Sequence, residues 1–161
     1  MSEHRASIGW RKHSADRDFL SGRYSREHTW TFDGGVTIAA SPSPSVVPAP
    51  WSNPAHVDPE EAFVASIASC HFLTFLFLAS RRGFVIEAYE DDAVGVMEKN
   101  DGGVAWVARV VLSPRITWGA SIGRPSALEE EQLHRAAHEQ CFISNSVKTA
   151  IVIEPPASAG P

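Results

Sequence analysis

Residues 58–83, DPEEAFVASIASCHFLTFLFLASRRG, form a long apolar stretch that decides the fold of this chain. Asp58 can cap a helix and Pro59 suits its first position, and the two glutamates that follow sit at the positive end of the helix dipole. Gly83 can end the helix just after Arg82. At 1.5 Å per residue, the predicted helix is about 35 Å long, enough to cross a small domain.

The central part of this stretch, residues 62–79, is apolar over the length that a membrane span requires at minimum. An apolar helix can equally be the central helix of a soluble core. We expect the second, without membrane association, because four polar residues interrupt the segment: Ser66, Ser69, His71 and Thr74.

The length, charge and composition of the chain limit the classes of function that it can have. The chain has 161 residues, which fits one domain, and a net charge of -5. Its densest basic stretch is only Arg81-Arg82, so nucleic-acid binding is not expected. The polar first 18 residues do not resemble a signal peptide, and we expect a cytoplasmic protein. In that compartment, two distant cysteines are more often catalytic or redox-sensing than structural.

The remaining patterns indicate an α+β fold. Ser126 and Glu129 form a capping box that opens a second helix, which should run to Gln140. We predict a flexible segment over residues 1–20, one domain over 21–154 and a disordered tail over 155–161. Strands are predicted at 27–32, 36–40, 84–89, 93–98, 104–112 and 148–153, with 116–118 as an extension past Pro114.

The surroundings of each cysteine leave two interpretations open. Cys70 lies ten residues into the long helix, where a cysteine can be an inert small hydrophobe. The helix dipole acts mainly within the first turn, so a reactive thiolate at Cys70 would need a cation from elsewhere. Cys141 follows the second helix and can be a free loop cysteine or a redox partner. Their spacing does not decide whether the two thiols meet.

The second cysteine and two nearby histidines suggest a different function. His134, His138 and Cys141 have the i, i+4 and i+7 spacing of metal ligands on one helix face. They support a metal-binding module or a non-enzymatic, redox-responsive dimer as the alternative. His71 points about 100° away from Cys70 on the helix, so it is a poor partner for a Cys-His nucleophile pair.

Two motifs together resemble one known family. The first is Asp58-Pro59-Glu60-Glu61 followed by Ala68-Ser69-Cys70-His71-Phe72-Leu73, and the second is residues 138–146, HEQCFISNS. In this order they are similar to the OsmC/Ohr family, named for osmotically inducible protein C and the organic hydroperoxide resistance protein. The resemblance covers about residues 20–154. It implies antiparallel sheets around a long buried central helix, and an intertwined homodimer.

The resemblance also implies the chemistry. Members are thiol peroxidases without a bound cofactor, and they reduce organic hydroperoxides through a sulfenate and a disulfide. By position, Cys70 is the peroxidatic cysteine, Cys141 the resolving cysteine and Glu60 the family's glutamate, with Glu61 as its neighbouring competitor. Arg26 fits the family's arginine better than Arg23. Arg26 can also be read as one end of a surface pair with Glu27.

The second motif departs from the hydroperoxide-resistance branch. That branch carries Cys-Pro-Tyr-Ser, whereas this chain has Cys141-Phe142-Ile143-Ser144. It therefore resembles the broader OsmC-like branches, and its preferred peroxide stays open. An external dithiol or a lipoyl-bearing protein is the implied reductant. Four apolar residues that flank Cys70 suggest a bulky substrate or plain core packing: Phe72, Leu73, Phe75 and Leu76.

Overall fold

The computed structural model describes residues 2–120 and 123–154, which fold as two units divided after Ala62. The long helix α2, Pro59–Arg81, begins in the first unit and continues into the second. The fold is α+β, as predicted. The predicted disordered tail, 155–161, lies outside the described residues.

The N-terminal unit contains a three-stranded antiparallel sheet. Its strands are β1 (Ala6–Gly9), β2 (His28–Phe32) and β3 (Thr37–Ala40), in that order, and helix α1 (Asp16–Leu20) lies between β1 and β2 in sequence. Both predicted strands, β2 and β3, are confirmed. Gly35, with φ 85°, completes the hairpin turn between them.

The first 20 residues, predicted as a flexible segment, differ from that expectation. Strand β1 pairs with β2 along its whole length. The rings of Trp10, Phe19 and Tyr24 also pack together, with centroids 4.6 to 6.0 Å apart. These aromatic contacts and the pairing of β1 order part of a segment whose sequence is mostly polar.

The C-terminal unit contains two small sheets and helix α3. Strands β4 (Ile86–Asp91) and β7 (Pro114–Trp118) pair antiparallel. Strands β5 (Val94–Lys99), β6 (Ala105–Leu112) and β8 (Ala150–Ile153) form the other sheet. Helix α3 spans Ala127–Gln140, and a short 3-10 helix, Ser144–Ser146, follows it.

Two features of these sheets correct the prediction. Pro114 does not sit inside an extended strand but begins β7 in the other sheet, a position that suits a residue without an N–H. Strand β8 runs parallel to β6, so the sheets are not all antiparallel. Parallel strands are commonly joined by a crossover connection that contains a helix, and here that helix is α3.

Helix α2 is buried along one stripe rather than on all sides. Every fourth residue from position 67 is fully buried, namely Ile67, His71, Phe75 and Ala79. On the opposite face, Leu73 and Phe77 are each 59% exposed. By length and composition alone, α2 could also cross a membrane.

Two buried clusters fix α2 within the C-terminal unit. Phe75 and Ala79 pack against Leu133 and Ala137 of α3, and Ile67 packs against Val110 and Leu112 of β6. Cys70 lies between these two clusters along the helix, so core packing on both sides positions it. The predicted capping box of Ser126 and Glu129 begins α3.

A candidate redox site at Cys70 and Cys141

The structure brings the two cysteines together. Cys70 is half-buried on α2, and Cys141 is fully buried directly after α3. Both are free thiols, and Cys141 is near enough to Cys70 to raise the pKa of its thiol. That the two thiols are neighbours could not be deduced from their spacing in the sequence.

Backbone N–H groups of the turn after α3 point at both sulfur atoms. The Ile143 N–H donates to Cys70 Sγ at 3.5 Å. The Ser144 N–H donates to Cys141 Sγ at 3.4 Å. Sequence reasoning missed these donors.

Hydrogen bonds within the turn hold its backbone in place. The Asn145 side-chain amide donates to the carbonyls of Glu139 and Cys141, both at 2.9 Å. The Ser146 hydroxyl donates to the Phe142 carbonyl at 2.8 Å. The N–H groups that face the sulfurs therefore belong to a turn with its own restraints.

The pKa of Cys70 is raised, chiefly because burial disfavours the thiolate. Nearby Cys141 raises this pKa further, and the Ile143 and Phe142 N–H groups lower it. The balance within the C-terminal unit therefore favours the thiol. A reactive thiolate at Cys70 would need further positive charge.

A buried histidine pair connects the two helices that carry the cysteines. His71 Nε2 of α2 and His134 Nδ1 of α3 are 3.1 Å apart, and both rings are buried. Burial lowers the pKa of each histidine to about 4, and nearby His134 and His138 contribute to the shift at His71. Both rings are therefore neutral near pH 7, and their hydrogen bond needs a proton on only one of the facing nitrogens.

This pairing bears on the metal alternative. The sequence grouped His134, His138 and Cys141 as candidate ligands, but His134 Nδ1 bonds His71 instead. Across residues 2–120 and 123–154, no three His, Cys, Asp or Glu side chains are grouped to hold a metal ion.

Arg26 belongs to the N-terminal unit and is half-buried there. Its guanidinium donates to the carbonyls of Tyr24, at 3.0 Å, and Gly22, at 3.4 Å, and lies 4.0 Å from the centroid of the Tyr24 ring. Within the described part of the chain it has no carboxylate partner, so the alternative surface pair with Glu27 is not formed.

The competing residues are engaged in other contacts. Arg23 forms an ion pair with Asp18 at 2.9 Å. Glu61 and Asp58 cap the start of α2 reciprocally: the Asp58 N–H donates to Glu61 at 3.0 Å, and the Glu61 N–H donates to Asp58 at 2.7 Å. In the described N-terminal residues Glu60 makes no side-chain hydrogen bond and does not pair with Arg26. The roles predicted for Arg26 and Glu60 therefore stay predictions.

An apolar cavity of about 500 Å³ opens beside Arg26 in the N-terminal unit. Much of its wall is aromatic, and its lining includes Trp10, Phe19 and Tyr24. By contrast, Phe75, one of the apolar residues that suggested a bulky substrate, is buried in the core with Leu133. The apolar pocket thus comes from aromatic residues spread along the first 24 positions, which the sequence reasoning did not connect.

Comparisons with known proteins agree on one family. The OsmC-like protein family matches residues 52–155. The chain is 47% identical to an OsmC-like protein of unknown function from Vibrio cholerae O1 biovar eltor, over 96% of this chain and 99% of the other, with a TM-score of 0.90. No curated protein matches the chain.

More distant structures share the fold. An organic hydroperoxide resistance protein from Elizabethkingia anophelis has a TM-score of 0.69 at 15% identity, covering 96% of this chain and 94% of the other. The organic hydroperoxide resistance protein OhrB of Bacillus subtilis has a TM-score of 0.62 at 17% identity, covering 94% and 97%.

Proposed function

Because the chain belongs to the family of OsmC-like proteins, as its two motifs predicted, we propose that it is a thiol-dependent peroxidase that reduces organic hydroperoxides. One observation carries the proposal: two free thiols, Cys70 and Cys141, each accept a hydrogen bond from the same short turn, through the N–H groups of Ile143 and Ser144. A cysteine kept only for packing would need neither a second thiol nor these donors.

The reaction follows from this pair in two steps. The Cys70 thiolate attacks the terminal peroxide oxygen; an S–O bond forms, the O–O bond breaks, and the leaving alkoxide takes up the proton that the thiol released. Cys70 is then a sulfenic acid and the peroxide is an alcohol. The Cys141 thiol condenses with the sulfenic acid, which forms the S–S bond and releases water. An external dithiol restores both thiols by exchange.

Arg26 and Glu60 are the proposed charged partners of Cys70. Burial and Cys141 raise the pKa of the Cys70 thiol, so the thiolate needs a cation. Arg26 is half-buried and lacks a carboxylate partner among the described residues, whereas Arg23 is already paired. Glu60 is the first-turn glutamate that the helix cap leaves available, because Glu61 is engaged with Asp58.

The substrate class rests on the aromatic cavity beside Arg26. Its wall suits the organic part of an alkyl or aryl hydroperoxide, and the guanidinium can donate to a peroxide oxygen. Hydrogen peroxide has no organic part to bury there. We therefore place organic hydroperoxides ahead of hydrogen peroxide as substrates.

Other parts of the proposal concern assembly, reductant and location. The exposed apolar face of α2, which includes Leu73 and Phe77, supports a homodimer that would cover it. A small dithiol or a lipoyl-bearing protein is the proposed reductant. Two free thiols that cycle through a disulfide suit the reducing cytoplasm, where we place the protein.

Peroxide consumption with a dithiol reductant tests the proposal. Wild-type protein should consume cumene hydroperoxide with dihydrolipoamide, and Cys70→Ser should lose this activity. After one equivalent of peroxide, mass spectrometry should find a Cys70–Cys141 disulfide in wild type and a Cys70 sulfenic acid in Cys141→Ser. The proposal fails if wild-type protein turns over neither cumene hydroperoxide nor hydrogen peroxide with any dithiol.

A further inference from the structure

The turn after α3 has a second relation to Cys70 besides supplying Cys141. Its Ile143 N–H donates to Cys70 Sγ at 3.5 Å, and the N–H of the neighbouring Phe142 lowers the pKa of the same thiol. Adjacent backbone N–H groups that converge on one atom favour negative charge there. Both N–H groups precede the 3-10 helix, in a turn held by the side chains of Asn145 and Ser146.

We propose that the backbone N–H groups of Phe142 and Ile143 are the local donors that stabilise the Cys70 thiolate during peroxide attack. This inference rests on the proposed peroxidase function and deepens it, since it identifies groups that hold the reacting sulfur. The resolving segment then has two tasks: before oxidation it stabilises the charge on Cys70, and after oxidation it presents the Cys141 thiol.

Charge considerations support this assignment. Cys70 sits between two apolar clusters, and burial disfavours its ionised form. A hydrogen bond to an ionised group is roughly twice as strong as one between neutral groups. Each N–H therefore stabilises the thiolate more than the thiol, and this difference promotes ionisation. Because both donors are backbone groups in a restrained turn, little rearrangement is needed as the charge develops.

Position 142 distinguishes this chain from one with proline after its second cysteine, as in the Cys-Pro-Tyr-Ser motif. Proline has no N–H, so such a chain could offer no donor from that position. Phe142 supplies one here, and its side chain is 84% exposed, so the residue contributes little to the core. The structure thus assigns position 142 a role through its backbone rather than its side chain.

Paired proline and alanine variants test the donors. Ile143 has a φ of −67°, which the proline ring also adopts, so Ile143→Pro removes the N–H at a compatible backbone angle. Ile143→Ala trims the same side chain and keeps the N–H. Phe142→Pro and Phe142→Ala form the second pair. All four are made in the Cys141→Ser background, so that Cys70 is the one thiol to titrate.

The readout is the rate of Cys70 alkylation by iodoacetamide across pH, which reports the thiolate fraction without peroxide. We expect Ile143→Pro to react about tenfold more slowly at pH 7 than Ile143→Ala, since it loses a hydrogen bond to a charged atom. Phe142→Pro should be slower than Phe142→Ala by a smaller factor, about threefold. The inference is overturned if proline and alanine react at the same rate at both positions.

Far-UV circular dichroism checks folding. If one proline variant unfolds, the alkylation rates of the other proline and alanine pair test the inference. If both unfold, replacing Ile143 by its α-hydroxy acid removes the same N–H without a ring, and equal rates for ester and amide would then contradict the inference. Because alkylation needs no peroxide, the two proposals can fail separately. If the proline variants are alkylated more slowly but the protein does not turn over peroxide, only the proposed function is refuted. Turnover with equal alkylation rates would refute only the role of the N–H groups.

Discussion

The two units of the chain differ in how far each completes its share of the proposed site. In the C-terminal unit, Cys70 and Cys141 contact each other, and backbone N–H groups face both sulfurs. In the N-terminal unit, Arg26 donates to backbone carbonyls and lies over Tyr24, and no described carboxylate pairs with it. Local hydrogen bonds thus hold the two thiols, whereas Arg26 lies beside an apolar cavity and has no counter-ion among the described residues.

This difference indicates how the reactivity of Cys70 would be controlled. Burial and Cys141 raise the pKa of Cys70, which favours the less reactive thiol. A charge from the N-terminal unit would reverse that balance.

Arg26→Ala should lower the kcat/KM for cumene hydroperoxide by about 100-fold, the size of effect seen when one charge-stabilising donor is removed. The reason is that the Cys70 thiolate and the developing alkoxide both lose their proposed cation. Arg23→Ala is the matched control, because its guanidinium already pairs with Asp18 and should affect turnover little. Steady-state peroxide consumption measures both. Equal losses of kcat/KM in the two variants would show that Arg26 has no special role in the proposed site.

The buried histidines should make stability depend on pH. Burial lowers the pKa of His71 and His134 to about 4, below the unfolded value of 6.5. Between these values the unfolded chain binds more protons, so stability is complete above pH 6.5 and falls as the pH approaches 4. From pH 8 to pH 5 we expect a loss on the order of 2 to 4 kcal/mol in the free energy of unfolding. Urea denaturation across this range measures it.

A paired substitution isolates the contribution of these two histidines. His71→Leu with His134→Leu replaces both hydrogen-bond partners by apolar groups, which can be nearly neutral for stability at pH 7. The double variant should lose most of the pH dependence, and His13→Gln, an exposed position, should keep it. Asp91 acts with the opposite sign, because burial raises its pKa. A double variant as pH-sensitive as wild type would refute the histidine contribution.

Glu60 and Glu61 offer a sharper test of the N-terminal unit. Glu60→Gln should lower turnover by about tenfold, if its carboxylate orients Arg26 through charge-assisted hydrogen bonds. Glu61→Ala should instead lower the free energy of unfolding by about 1 kcal/mol, because the helix cap with Asp58 is lost, and should change turnover little. Peroxide assays and urea titrations of both variants separate the two effects. Loss of turnover in Glu61→Ala alone would exchange the roles of the two glutamates.

The sequence predicted much of the fold because its strongest signals are local. The predicted start of α2, the capping box of α3 and the bounds of α3 agree with the structure, since each depends on a few neighbouring residues. The strands that were missed or misassigned depend on tertiary pairing: β1 gains its partner from β2, and the parallel register of β8 needs the crossover through α3. No local pattern specifies those partners.

For the candidate site, too, local signals were found from the sequence and tertiary contacts were not. The resemblance identified both cysteines, but spacing could not show that they touch. The N–H groups of Phe142 and Ile143 carry no side-chain signature, so a search for cationic side chains overlooks them. One signal was present in the sequence: a residue other than proline after the second cysteine leaves an N–H available. The aromatic cavity was missed because its lining residues are spread over several elements and loops between β1 and the start of α2.

The smallest predicted effect concerns how firmly the turn is held. Asn145 donates to the carbonyls of Glu139 and Cys141, so Asn145→Ala should loosen the segment that presents the Cys141 thiol. We expect disulfide formation after one equivalent of peroxide to slow about fivefold, since a net hydrogen bond contributes roughly 1 kcal/mol. Quenched-flow mass spectrometry measures this rate. Asn100→Ala, which removes comparable bonds in the hairpin between β5 and β6, should leave the rate unchanged. If both variants slow disulfide formation equally, general stability rather than the turn controls how the Cys141 thiol is presented. The hydrogen bonds of the turn would then not be what distinguishes the cysteine site from the surroundings of Arg26.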